Sequence, residues 1–225
     1  MKKRGFTLAE VLITLGIIGI VAALTLPSLI ANYQKQLTIA RLKETTNLIA
    51  QMYTLSEANN GFSDTWELNN VNSDTLFDFL NEYIFPYIKT TKTCKESELI
   101  NCGWDLDKGK TLSGSSFTSW SGNKAAAVLP NGTSLIFVTR SSYSYIIVFL
   151  DINGKAPPNI LGKDVFRMNF YYNGTRGFDY GAPADYSRDE LINTPNYGCK
   201  EGINGTYCLM LIMQDGWEIA PDYPW

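Results

Sequence analysis

Histidine is missing from all 225 residues. Its absence removes Ser-His-Asp and Cys-His nucleophile systems, zinc sites built on imidazole and any imidazole-based pH switch. Charge is scarce as well: Asp, Glu, Lys and Arg make up 18% of the chain against 45% hydrophobic residues, a balance that argues against intrinsic disorder. Positive charge is the scarcer sign, 19 Lys plus Arg to 22 Asp plus Glu, and three of the 19 are Lys2, Lys3 and Arg4. Without the first five residues the balance is 16 to 22, a net charge of -6. An acidic chain of this kind is a poor general binder of phosphate backbones, so nucleic acid is not expected as a partner.

The longest stretch without charge is the 24 residues from Val11 to Gln34. Roughly 20 apolar helical residues cross the hydrocarbon core of a bilayer, so this segment is long enough to span it. Lys2, Lys3 and Arg4 precede it, and the positive-inside rule then puts the N-terminus in the cytoplasm and the body outside. Three readings fit: a plain anchor, a secretory signal peptide with small residues at Val21-Ala22-Ala23, or a processed anchor that doubles as an assembly helix. Glu10 bears on the choice. A carboxylate one turn into an apolar segment is costly, about 2.5 to 3.5 kcal/mol at the centre of a membrane helix and less near its ends. It sits at headgroup level with no further role, or it pairs with a charge on another chain.

The residues Gly5-Phe6-Thr7-Leu8-Ala9-Glu10-Val11-Leu12, after a short basic leader and before an apolar run, resemble the processing signal of type IV prepilins and type II secretion pseudopilins. The resemblance implies a prepilin peptidase that cuts between Gly5 and Phe6 and methylates the new amine of Phe6. It also implies that Glu10 neutralises the N-terminal amine of a neighbouring subunit during filament assembly. Such a pair is favourable in low dielectric, where either charge alone is penalised. Gly16, Gly19 and Pro27 extend the resemblance, and they weaken the helix between Gly19 and Pro27.

Beyond the span the pattern turns amphipathic. Thr45, Leu48, Ile49, Met52 and Leu55 recur at helical steps, and Asn59-Asn60-Gly61 supplies a stop, which predicts one helix from Phe6 to about Ala58. A second helix is expected over Ser73–Ile88, broken by Pro86. Strands are expected at 126–129 and 134–138, joined by a turn with positive φ at Gly132, and at 145–150 and 165–172, with a shorter one at 208–213 after a loop-rich tail. The fold class is α+β: a long N-terminal helix packed on an antiparallel sheet of about four strands, which is the pilin-like architecture the resemblance implies. The domain reading is a cleaved leader at 1–5, a membrane and assembly helix at 6–34, and an extracytoplasmic head at 35–225.

Four cysteines lie beyond the span, where disulfides persist. They allow three connectivities, and Cys94 with Cys102 and Cys199 with Cys208 are expected because each pair sits in its own loop. A zinc site of four thiolates lacks the close CxxC spacing. The second pair resembles the C-terminal disulfide loop of many pilins. Asp151-Ile152-Asn153-Gly154 with Asp164 has oxygen ligands at alternate positions before a glycine, so Asp151, Asn153 and Asp164 are candidate calcium ligands, in keeping with calcium loops in some type II pseudopilins. The competing reading is an Asx-turn with Asp164 capping the loop. No other cofactor is expected. The sequons at Asn131, Asn173 and Asn204 read as turns.

The leading expectation is a structural filament subunit in the bacterial inner membrane, with prepilin peptidase and other pilin-like subunits as partners and no catalytic activity. The alternative is an exported or membrane-anchored binding protein, carbohydrate-binding among the options, that uses its N-terminus only for export. A hydrolase ranks third, since no spacing singles out a pair of acids.

Overall fold

The computed structural model describes residues 7–174 and 177–225, Ser119 without its side chain. The chain divides into two compact units, Met1–Ala40 and Arg41–Trp225. Helix α1 (Leu8–Asn60) contributes to both, ending within two residues of the predicted Asn-Asn-Gly stop, where Gly61 takes φ 79°.

In the first unit α1 is uncharged and largely apolar on every face from Val11 to Ile30, long enough to cross a membrane, and Leu12, Ile13, Leu15, Ile18, Leu24 and Leu29 are all exposed. Its hydroxyls fold back onto its own backbone: Thr14 Oγ1 donates to Glu10 O at 2.9 Å and Thr25 Oγ1 to Val21 O at 2.9 Å. No side-chain hydroxyl in these pairs needs an outside partner, which suits a segment placed in hydrocarbon. The helix is continuous through Pro27.

In the second unit the rest of α1 becomes one-sided. Leu42, Thr45, Thr46, Ile49, Met52, Tyr53 and Ser56 are buried, a stripe at three- and four-residue steps. Leu55, expected on that stripe, is 52% exposed; Tyr53 and Ser56 take the buried side instead. Each fully buried Leu, Ile or Met contributes roughly 1.5 to 3 kcal/mol relative to exposure.

The stripe lies on a six-stranded antiparallel meander in sequential order: β1 (Lys92–Lys95), β2 (Asn123–Val128), β3 (Ser134–Thr139), β4 (Tyr145–Asp151), β5 (Val165–Tyr171) and β6 (Phe178–Asp179). The four strands expected from the sequence form its centre, and the short β1 and β6 are added at the edges. Gly132 has φ 87° in the β2–β3 turn, as that turn requires. Tyr53 meets the Phe170 ring edge-on at 5.0 Å, and Thr45 Oγ1 lies 3.3 Å from Thr133 Oγ1.

Helix α2 (Ser73–Tyr83) packs on the same face through Leu76, Phe79 and Leu80. Asn72 caps it, accepting from Asp74 N at 2.9 Å and Thr75 N at 3.0 Å. The helix stops before Pro86, which enters a separate 3-10 turn at Phe85–Tyr87. The tail departs most from expectation. It holds α3 (Arg188–Asn193), opened by a Ser187–Glu190 capping box, and α4 (Cys208–Gln214) in place of the expected strand. Residues 208–212 are buried without interruption, so α4 has no polar face for a period to mark, and length alone could not separate helix from strand.

Candidate functional site

Cleavage and methylation were assigned to Gly5 and Phe6, and both lie outside the described residues. The first described residues carry the rest of that site. Thr7 Oγ1 accepts from Glu10 N at 3.2 Å, while Glu10 Oε2 accepts from Thr7 N and Thr7 Oγ1, both at 2.8 Å. This is a reciprocal capping box, which ties down donors that would otherwise be unpaired at the start of α1. The Thr-x-x-Glu spacing is visible in the sequence, but the processing signal drew attention to Glu10 for another reason. Glu10 is exposed, so its carboxylate is open to a second partner.

The cysteines pair as expected. Cys94–Cys102 links β1 to the end of a 3-10 segment at Glu96–Cys102, and Cys199–Cys208 links the chain after α3 to the first residue of α4. The loop closed by the second bridge is clamped from outside: Leu112 N donates to Asn204 O at 3.2 Å, and Gly202 N donates to Leu112 O at 3.2 Å. Gly205 has φ 85°, and a Cβ there would stand 2.8 Å from Leu161 O and Leu112 Cδ1, so only glycine fits. We expect Cys199→Ser with Cys208→Ser to cost the head about 2 to 3 kcal/mol of unfolding stability, measured by denaturation of the purified protein in detergent.

The three candidate calcium ligands meet in one place. Asp151 ends β4 and Asp164 stands just before β5, and they are 2% and 4% exposed. Asp164 Oδ1 accepts from Ile160 N at 2.7 Å, and its Oδ2 accepts from Asn159 N at 2.8 Å and Asn153 Nδ2 at 3.1 Å. Asp151 Oδ1 accepts from Asn153 N at 3.2 Å. The Asn159 amide satisfies both its atoms only with its nitrogen facing Ala156 O at 3.0 Å and Asp151 Oδ2 at 3.2 Å. Burial, and then the neighbouring Asp164 charge, pushes the Asp151 carboxyl up to about 8; burial also raises that of Asp164 against the pull of its N–H donors. Asn153 Oδ1 is buried with no hydrogen-bond partner. Asn153 turns its side-chain nitrogen, not its orphaned oxygen, to Asp164, and the three residues brace the β4–β5 loop as an Asx-turn with Asp164 capping it; a hard cation would have to displace these N–H donors to reach the carboxylate oxygens. Among the described residues no group of three or more Asp, Glu, Cys or His converges, so further ligands would have to come from backbone oxygens or water.

Comparisons with known proteins place these features. Residues 1–26 match the prokaryotic N-terminal methylation motif, which is the prepilin-type cleavage and methylation signal. With the long apolar helix and the α+β head, that motif marks a pilin- or pseudopilin-type exported protein. No curated protein and no solved structure matches the chain. Residues 28–225 match the family described as a family of unknown function (DUF6613), and the chain belongs to that family.

Proposed function

We propose that this chain is a structural subunit of a type IV pilus-like or type II secretion pseudopilus filament. Prepilin peptidase cuts between Gly5 and Phe6 and methylates Phe6; subunits held in the bacterial inner membrane then assemble through the apolar half of α1. The observation that carries this reading is the methylation motif at the start of a helix that is uncharged, largely apolar and exposed around its circumference from Val11 to Ile30. Contiguous exposed apolar surface of that extent needs lipid or other helices around it. Two disulfides in the second unit suit a head that folds outside the cytoplasm, the side on which the positive-inside rule puts it. The subunit works as a building block, with no catalytic step of its own. The deciding measurement is the N-terminal residue and intact mass of the membrane-extracted protein, from cells with and without prepilin peptidase. Methylated Phe6 that depends on the peptidase supports the reading. A start near Leu24 makes the chain an exported soluble protein, and an intact Met1 leaves a plain anchor.

The head is further proposed to bind calcium at Asp151, Asn153 and Asp164, the reading favoured by the orphaned Asn153 oxygen. Chelation by EDTA and Asp151→Ala are each expected to lower the melting temperature of the head, and added calcium to restore it only in the unaltered protein. Unchanged melting in EDTA would leave the three residues as a hydrogen-bonded brace for the β4–β5 loop.

A further inference from the structure

The face of the sheet turned away from α1 and α2 is half covered. Over its β1–β3 side, Leu99, Trp104 and Phe117 cluster with Ala126 and Ile136, and Phe149 of β4 forms the border of this cover. Over β4 and β5 it opens into a cleft of about 680 Å³, within the range of roughly 300 to 1,000 Å³ typical of small-molecule sites. Arg167 and Asn169 of β5 lie in its floor, Arg140 stands at one side, and Asn204 and Tyr207 come from the loop closed by Cys199–Cys208.

The charges in the cleft are unevenly committed. Its carboxylate, Asp179, is saturated: Oδ1 accepts from Asn169 Nδ2 at 2.9 Å and Gly181 N at 2.7 Å, and Oδ2 from Tyr171 Oη at 2.6 Å. Among the described residues the two arginines donate to neutral groups, Arg167 Nε to Asn169 Oδ1 at 3.0 Å and Arg140 Nε to Ser121 O at 3.1 Å. Among the described residues neither arginine forms an ion pair. Guanidinium forks without a carboxylate suit a carboxylate from a ligand.

The aromatic lining narrows the ligand further. Tyr143 carries the Arg140 guanidinium on its ring at 5.4 Å and stacks on Tyr145 at 4.6 Å, while Trp120 is stacked by Phe117 at 3.9 Å and Phe149 at 3.7 Å. Those ring faces are taken, so a flat aromatic ligand finds little to stack on and a ligand meets hydroxyls, amides and ring edges. The peptide groups of β4 are used by β3 and β5, so the floor offers no strand edge to an extended peptide.

We propose that this cleft binds an acidic saccharide, sugar rings bearing carboxylates, with Arg167 and Arg140 taking the carboxylates while Asn169, Asn204 and the tyrosine hydroxyls meet the ring hydroxyls. The site is independent of whether the chain enters a filament.

The test is calorimetric titration of the full-length protein in detergent with oligogalacturonate, using the matching neutral galactose oligomer as the comparison. Saturable binding is expected, weakened by added salt, with the neutral oligomer at least about tenfold weaker. Arg167→Gln is expected to weaken oligogalacturonate binding about tenfold or more, on the scale of one charge-assisted contact. If that variant melts early, Arg140→Gln, at an exposed position, takes over the decision. Absence of binding, equal binding of the neutral oligomer, or binding unchanged in a folded arginine variant would overturn the proposal. So would polyglutamate binding as tightly as oligogalacturonate, because the cleft would then read carboxylates without sugars.

Discussion

Glu10→Gln is expected to keep the chain out of the proposed filament while leaving helix and head intact. The capping box makes this substitution more informative than alanine. Gln at the third helical position can still accept from Thr7, so the start of α1 keeps its reciprocal hydrogen bonds. What it loses is the negative charge. If Glu10 pairs with the amine of a neighbouring Phe6, Gln leaves that ammonium unpaired in a low-dielectric interior, a loss of several kcal/mol for each subunit joined. Repeated along a filament, that loss should reduce incorporation to background, as measured by the fraction of the chain recovered in sheared or sedimented filaments. Membrane abundance and head melting should match the unaltered protein. Glu10→Ala should behave in the same way and also fray the first turn of α1, for about 1 kcal/mol. Normal assembly with Gln but not with Ala would make Glu10 a helix cap and remove its intersubunit role.

The second large effect is on the fold. Trp66→Ala should cost the head about 3 to 5 kcal/mol and lower its melting temperature by about 10 °C, read by circular dichroism in detergent. Trp66 is 1% exposed and joins three elements. Its ring stacks on Tyr83 of α2 at 4.6 Å and lies 5.9 Å from Phe170 of β5, and its Nε1 donates to Gly61 O at 3.0 Å, just past the end of α1. Truncation opens a cavity where these elements meet and removes the donor from the Gly61 carbonyl. Trp66→Phe keeps most of the packing and should cost less than half as much. A change under about 1 kcal/mol with Ala would mean that the elements close over the gap.

Trp66 also shows what the sequence does and does not make legible. It stands alone in Thr65-Trp66-Glu67, with no period to mark it as core, and its importance comes from three segments distant along the chain. Where burial follows a period, the reading holds: β2 to β5 lie within a few residues of expectation because their hydrophobic runs end at turn residues such as Gly132 and Gly174. Where an element is short or buried all round, the period vanishes. β1 is Lys-Thr-Cys-Lys, β6 is two residues long, and α4 begins Cys-Leu-Met-Leu-Ile-Met, so the two strands carry no alternation to mark them and the helix has the same apolar run as a buried strand. The N-terminal residues were legible as a linear motif, and Asp151, Asn153 and Asp164 as a short spacing. The cleft was not, because Arg140, Arg167 and Asn204 reach it from separate strands and loops.

The two short edge strands bear on how such subunits can be crowded together. β6 offers only Phe178 and Asp179, and β1 carries exposed lysines at both ends, Lys92 and Lys95. Long, flat, uncharged edges are what let sheets from different molecules zip together. Heads concentrated in the plane of a membrane, or along a filament, meet at high local concentration for long periods. With both margins of the sheet blunted in this way, strand-to-strand fusion between heads is disfavoured, and in the filament proposed above reversible association would fall to the N-terminal helices, which could return to lipid on disassembly.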